Sequence, residues 1–159
     1  METIEQIKAD EGGYKEEVYL CSKGKLTWLC GRNIEDRPIT DREWKRLKHS
    51  IKAGLGQKHW ADVLFDIEIS NLDNFYWATW KHYADLPMGV KNIILNMGYN
   101  MGTTKFNHHK WPKFFKAIRV HDWRQASIQG RDSKWFRQVG GRSLRLMKSL
   151  ENFNCEILI

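Results

Sequence analysis

Glu11 stands directly before two glycines, Gly12 and Gly13, and upstream of a short segment carrying Cys21 and Thr27. A carboxyl at a helix end, withdrawn from water by the protein behind it, keeps its proton and can act as a general acid. The same residue also reads as a solvated helix-end glutamate. Glu16 and Glu17 compete for the role from a loop, where water holds carboxylates ionised. Three cysteines, Cys21, Cys30 and Cys155, are too few and too widely spaced for a disulfide scaffold. Their odd number leaves one thiol unpaired in a monomer and fits synthesis in a reducing compartment. No Cys/His spacing resembles a zinc site, and the adjacent pair His108-His109 reads as surface, so no metal is expected.

These side chains need elements to hold them. Thr3 with Gln6 forms a capping-box pattern, and Ile4 and Ile7 begin an apolar stripe, so a helix is predicted over 3–11, stopped by Gly12-Gly13. Val18 to Cys21, the turn Ser22-Lys23-Gly24, and Lys25 to Cys30 read as a hairpin. Gly31-Arg32-Asn33 and Asp36-Arg37-Pro38 are turn chemistry around at most one more short strand. From Thr40 the period becomes helical: Thr40 and Glu43 form a second capping box, and Trp44, Leu47, Ile51 and Leu55 make an apolar stripe that ends near Gly54 and Gly56. Residues 60–84 read as helix, with Asn71 to Asn74 offering a break. Pro87 opens an almost wholly apolar helix through Met101, and Pro112 opens another carrying Phe114, Phe115 and Ile118. Trp123 to Gln129, Ser133 to Val139 and Ser143 to Phe153 complete a run of short helices, while 154–159 have no clear assignment. The expected class is α+β, mostly α: one domain over 1–159, with a hairpin-bearing lobe at roughly 12–58 and a larger helical lobe over 59–159 plus helix 3–11.

The 159 residues include 26 Lys and Arg against 19 Asp and Glu, a net charge of +7, with 42% hydrophobic residues and eight Trp. That apolar content argues against disorder, and no segment reaches the ~18 apolar residues of a membrane span. The polar N-terminus has no signal-peptide core. A basic balance suits polyanions, or solubility alone. Nucleic acid is not the expected partner, because Lys and Arg are scattered and no recognisable binding motif is present.

Asp10-Glu11-Gly12, then Val18-Tyr19, Gly24, Thr27, Gly31 and Asn33, resemble the opening of the phage-type lysozymes, the endolysins of glycoside hydrolase family 24. Cys21 and Thr27 keep that family's six-place step between an Asp (Cys in some members) and a Thr. Leu95 to Gly102 resembles the family's central helix, and Ser133 to Arg142 resembles its late Ser-x-Trp-aromatic-x-Gln-x-x-x-Arg element. The resemblance runs in order from about residue 3 to 153. It implies a two-lobe lysozyme-like fold and hydrolysis, with inversion, of the β-1,4 bond between N-acetylmuramic acid and N-acetylglucosamine in peptidoglycan. Glu11 would then protonate the glycosidic oxygen, and Cys21 and Thr27 would position the attacking water on the opposite face. Tyr99 and Asn100 match positions lining the saccharide cleft, Arg142 matches a late Arg beside it, and Arg32 falls where a substrate-side His is common. No cofactor is implied. The enzyme would be a monomer, would fold in a host cytoplasm, and would need a membrane-permeabilising holin to reach the wall; a virion-associated role is the other setting.

Departures from the family pattern matter. Nine residues separate Glu11 from Cys21, one more than the family usually has, and Leu29 replaces a common Gly. An ångström of displacement at the acid costs about a hundredfold in rate. A thiol with pKa near 8.5 is mostly protonated at neutrality, unless Lys23, Lys25 or Arg32 favours the thiolate. Cys21 and Cys30 also occupy hairpin positions from which they could pair in an oxidising periplasm. These features support an alternative, a lysozyme-like wall-binding protein with impaired turnover. In either reading the positive charge aids approach to an anionic wall and predicts function that weakens with salt.

Overall fold

The computed structural model describes residues 4–12, 15–21, 24–29 and 31–153. It is α+β and mostly α, with one three-stranded antiparallel sheet and, among the described residues, eight helices. Two compact units divide the chain, a first of Glu5–Asn71 and a second of the residues from Leu72 onward, which also takes in Ile4 at the start of the first helix.

In the first unit, α1 (Ile4–Asp10) is followed by β1 (Lys15–Leu20), β2 (Leu26–Leu29) and β3 (Arg32–Asn33), in the order β1-β2-β3. The Thr3 cap and Gly13 lie outside the described residues. Gly12 ends α1 at φ +78°, a conformation that costs other residues about 1–2 kcal/mol, and its amide bonds the Ala9 carbonyl at 3.0 Å. β1 begins earlier than the sequence pattern predicts. Between the pairs Lys15↔Leu29 and Tyr19↔Thr27, β1 uses four steps where β2 uses two, so a bulge takes up chain length. At Leu29 the backbone turns to φ +50° while the side chain is buried. A glycine would adopt that conformation without steric cost; here the strain is offset by packing of Leu29 with Leu47, Ala61 and Leu64.

Thr40 caps α2 (Asp41–Lys52) through the full capping box with Glu43. The expected apolar stripe of α2 is not its inward face. Leu47 is buried, but Trp44, Ile51 and Leu55 are exposed, and Glu43 and Ser50 turn inward with Leu47. The helix is rotated because an ion pair, described below, draws Glu43 in. The suggested break at Asn71–Asn74 is also absent: α3 runs unbroken from Gln57 to Thr79, 23 residues. Asparagine lowers helix propensity by only a fraction of a kcal/mol, and the segment has no Gly or Pro to stop it.

The second unit is built on α4 (Met88–Met101), whose Val90 and Ile93 to Gly98 are buried. With it are α5 (Pro112–Arg119, Pro at its first turn), α6 (Trp123–Arg131), α7 (Lys134–Val139, capped by Ser133) and α8 (Gly141–Glu151), in which α6 packs on α5, α7 and α8, and α8 on α4. Buried Tyr76 donates from its hydroxyl to the Phe106 carbonyl at 2.9 Å. A Cβ added at Gly98 would sit 2.7 Å from that hydroxyl oxygen. Gly98→Ala is therefore expected to lose about 1–2 kcal/mol, because overpacking and a displaced buried hydrogen bond exceed the ~1 kcal/mol gain in helix propensity. Chemical denaturation reads this directly, and an unchanged or raised midpoint would refute it. No described helix is long and apolar enough to cross a membrane.

Candidate active site

The residues singled out at the N-terminal end all lie in the first unit. Glu11 follows α1, its amide bonded to the Ile7 carbonyl at 3.2 Å, and its side chain is half-buried. The carboxylate lies against Gly31: a Cβ there would be 3.4 Å from Glu11 Oε2, and Gly31 takes φ +82°. Glycine thus lets the backbone between β2 and β3 approach the carboxylate closely. Thr27 lies mid-sheet, 3% exposed and paired with both Tyr19 and Asn33. Its hydroxyl donates to the Lys25 carbonyl at 3.0 Å, and the Cys21 amide donates to that same carbonyl at 3.0 Å. One oxygen therefore ties the two residues together. With its proton committed, the Thr27 hydroxyl has only acceptor lone pairs to offer another group such as water. The Cys21 carbonyl accepts from the Gly24 amide at 2.8 Å, closing the turn, and the cysteine itself is a half-buried thiol. Cys30 lies outside the described residues, and with it the suggested Cys21–Cys30 pairing.

Arg32 corrects the sequence reading most clearly. In place of a substrate-facing cation, its guanidinium is buried, 5% exposed. Nη1 donates to Glu43 Oε1 at 3.0 Å and to Glu68 Oε1, Nη2 to Glu43 Oε2 at 3.2 Å and the Pro38 carbonyl at 3.1 Å, and Nε to the Arg37 carbonyl at 2.9 Å. The brace joins β3 to α2 and α3. Glu43 Oε2 also accepts the Thr40 amide at 2.8 Å, so one carboxylate serves both the helix cap and the ion pair. Burial pushes the Glu43 carboxyl up, but the Thr40 amide, the Arg32 guanidinium and the Thr40 hydroxyl outweigh it and hold it below the usual carboxylate range. The sequence does carry a signal for this: a capping-box Glu is anionic, and an Arg upstream can meet it.

Of the cations invoked to favour a Cys21 thiolate, Arg32 is thus committed to two carboxylates. Lys25 donates to Asp36 at 2.6 Å, and that bond and charge hold its ammonium above the ordinary range, with a smaller contribution from Cys21. Lys23 lies outside the described residues.

The remaining predicted residues are in the second unit. Tyr99 is half-buried on α4 and Asn100 exposed. Asn100 Oδ1 accepts from Trp135 Nε1 at 2.8 Å, and Asn96 Oδ1 accepts from Arg142 Nε at 2.7 Å. The late motif thus docks on two amides one turn apart on α4. Arg142, read as substrate-facing, also donates from Nη2 to the Asn96 carbonyl at 3.3 Å and so braces α8 on α4. The His108 and His109 rings lie 3.9 Å apart, tilted by 40°, and no group of three or more potential metal ligands occurs among the described residues.

A helix-end carboxylate facing a small sheet with a thiol and a hydroxyl, followed by a helical unit, has the form of the lysozyme-like proteins. No family model matches the chain. It is 26% identical over 179 aligned positions to the pre-baseplate central spike protein Gp5 of Enterobacteria phage T4, a match that takes in 99% of this chain and 30% of that protein. It is also 26% identical over 160 positions to the probable T4-type lysozyme 2 of Dictyostelium discoideum, covering 92% of each. The chain therefore spans less than a third of the spike protein but nearly all of the second relative. Both similarities support a lysozyme-like family.

Proposed function

We propose that the protein is a glycoside hydrolase of the muramidase type, cleaving the β-1,4 bond between N-acetylmuramic acid and N-acetylglucosamine in peptidoglycan. The observation that carries this is the Glu11 carboxylate seated against Gly31, on the unit that ties Cys21 and Thr27 to one carbonyl. Glu11 gives its proton to the glycosidic oxygen as the bond to the anomeric carbon breaks. Water held by Thr27 and Cys21 attacks that carbon from the opposite face and passes its proton to bulk solvent as the new C–O bond forms, giving inversion, and Glu11 takes a proton back from solvent. The name of the Dictyostelium relative supports the enzyme class. In a lysis setting the monomer acts on the wall after a holin permeabilises the host membrane. The similarity to a central spike protein supports a second setting, a component of a phage particle.

Turbidity loss of purified peptidoglycan tests the reading. Thr27→Val keeps the β-branched shape but removes both the bond to the Lys25 carbonyl and the acceptor for water, so the rate is expected to fall about tenfold to a hundredfold, with chemical denaturation run alongside to read any loss of stability. Cys21→Ala is expected to fall less if sulfur only positions the water. A wild-type protein that clears nothing yet pellets with cell walls would replace this reading with a binding-only one.

A further inference from the structure

The second unit carries a concavity of about 650 Å³ between the end of α3, the turn after it, and α5. Three cations line it, Lys81 from the turn and Lys116 and Arg119 from the last turn of α5, and its lining contains no Asp or Glu. Among the described residues none of the three is in an ion pair. Lys116 and Arg119, spaced i, i+3, share one face of α5, where like charges repel. The negative end of the helix dipole eases that repulsion for these two but not for Lys81. His82 and His108 add ring nitrogens to the same lining. Beneath them Trp80 is buried edge-to-face on Phe115 at 4.8 Å, and at the rim Trp77 is 53% exposed.

We infer that this concavity binds a phosphorylated saccharide, its phosphate held by Lys81, Lys116 and Arg119 and the C–H face of its ring packed on the Trp77 indole. Clustered cations without a counter-ion recognise an anion, and Arg and Lys are suited to phosphate oxygens. Lys91 Nζ lies 5.6 Å from the Trp77 ring centroid, and the half of the indole that stays exposed is what a bare anion would leave uncovered. A nucleic acid strand would call for cations spread along a track with successive stacking faces, whereas here the charge gathers at one mouth. The site uses none of the residues assigned to hydrolysis and stands independently of that reading.

Calorimetric titration of the full chain with N-acetylglucosamine 6-phosphate, N-acetylglucosamine, inorganic phosphate and a short oligothymidylate tests it. The sugar phosphate is expected to bind about tenfold or more tighter than either fragment. Lys116→Glu with Arg119→Glu is expected to weaken the sugar phosphate by at least about tenfold. Trp77→Ala is expected to weaken the sugar phosphate but not inorganic phosphate. Lys81→Gln, a mild change on an exposed turn, reports the same direction of loss should the double variant melt early. Equal affinity for inorganic phosphate and the sugar phosphate, absence of binding, binding unmoved by the charge changes, or tighter binding of the oligonucleotide would each overturn the inference.

Discussion

Glu11→Gln is expected to leave a folded protein whose clearing of purified peptidoglycan falls by about 10²- to 10⁴-fold, the range supplied by a positioned general acid. Glutamine preserves the shape of the side chain against Gly31, where Glu11 Oε2 lies 3.4 Å from the position of an added Cβ, but it has no acidic proton to give. The loss should fall on kcat and not on wall binding, because the amide still fills the same space. Co-sedimentation with cell walls separates the two. A Glu11→Gln variant that clears walls at the wild-type rate would remove Glu11 from the chemistry and direct attention to Glu16 and Glu17, both exposed on β1.

The second large effect is on stability. Arg32→Ala is expected to cost about 3–5 kcal/mol at neutral pH, since it strands the buried carboxylates of Glu43 and Glu68 without their shared cation. Arg37, 3.5 Å from Glu68 and 54% exposed, compensates only in part. Glu43 is held below its unfolded range, so its contribution is present above the unfolded carboxylate pKa of about 4.3 and is lost as acid protonates the folded group. In the variant the stranded Glu43 carboxyl, left with burial, instead gains from protonation. The gap between wild type and Arg32→Ala is therefore expected to narrow as pH falls from 7 toward 4, in urea unfolding followed at several pH values. A gap that is constant with pH, or below about 1 kcal/mol at neutrality, would show that the brace carries little. Because Arg32 follows Gly31 and pairs with Trp28 in the sheet, activity should fall in the variant through displacement of β3, with Arg32 acting as a positioning residue.

Much of this frame is legible in local chemistry. Thr40 and Glu43 are three residues apart, and their capping box forms as the pattern says, as does the helix opened by Pro112. Glu11 before Gly12 marks a helix end in the sequence and in the structure. The misleading signals are local too. The stripe Trp44, Leu47, Ile51 and Leu55 describes an apolar face, yet only Leu47 is buried, because hydrophobic periodicity carries no information about a carboxylate that a distant arginine draws inward. Asn71 to Asn74 resemble a break only while propensity is read without the hydrogen-bonded turns on either side.

The elements that can be read from the chain without its fold are those whose signals lie within one turn of helix or one hairpin: caps, prolines, glycine stops and the step from Cys21 to Thr27. Which charges are buried and which amides are engaged is settled by long-range packing. Arg32 meets Glu68 across 36 residues, and Arg142 meets Asn96 across 46. Those pairings follow from the packing of α3 and α4 against elements far along the chain, and burial is what converts an apparent surface cation into a brace.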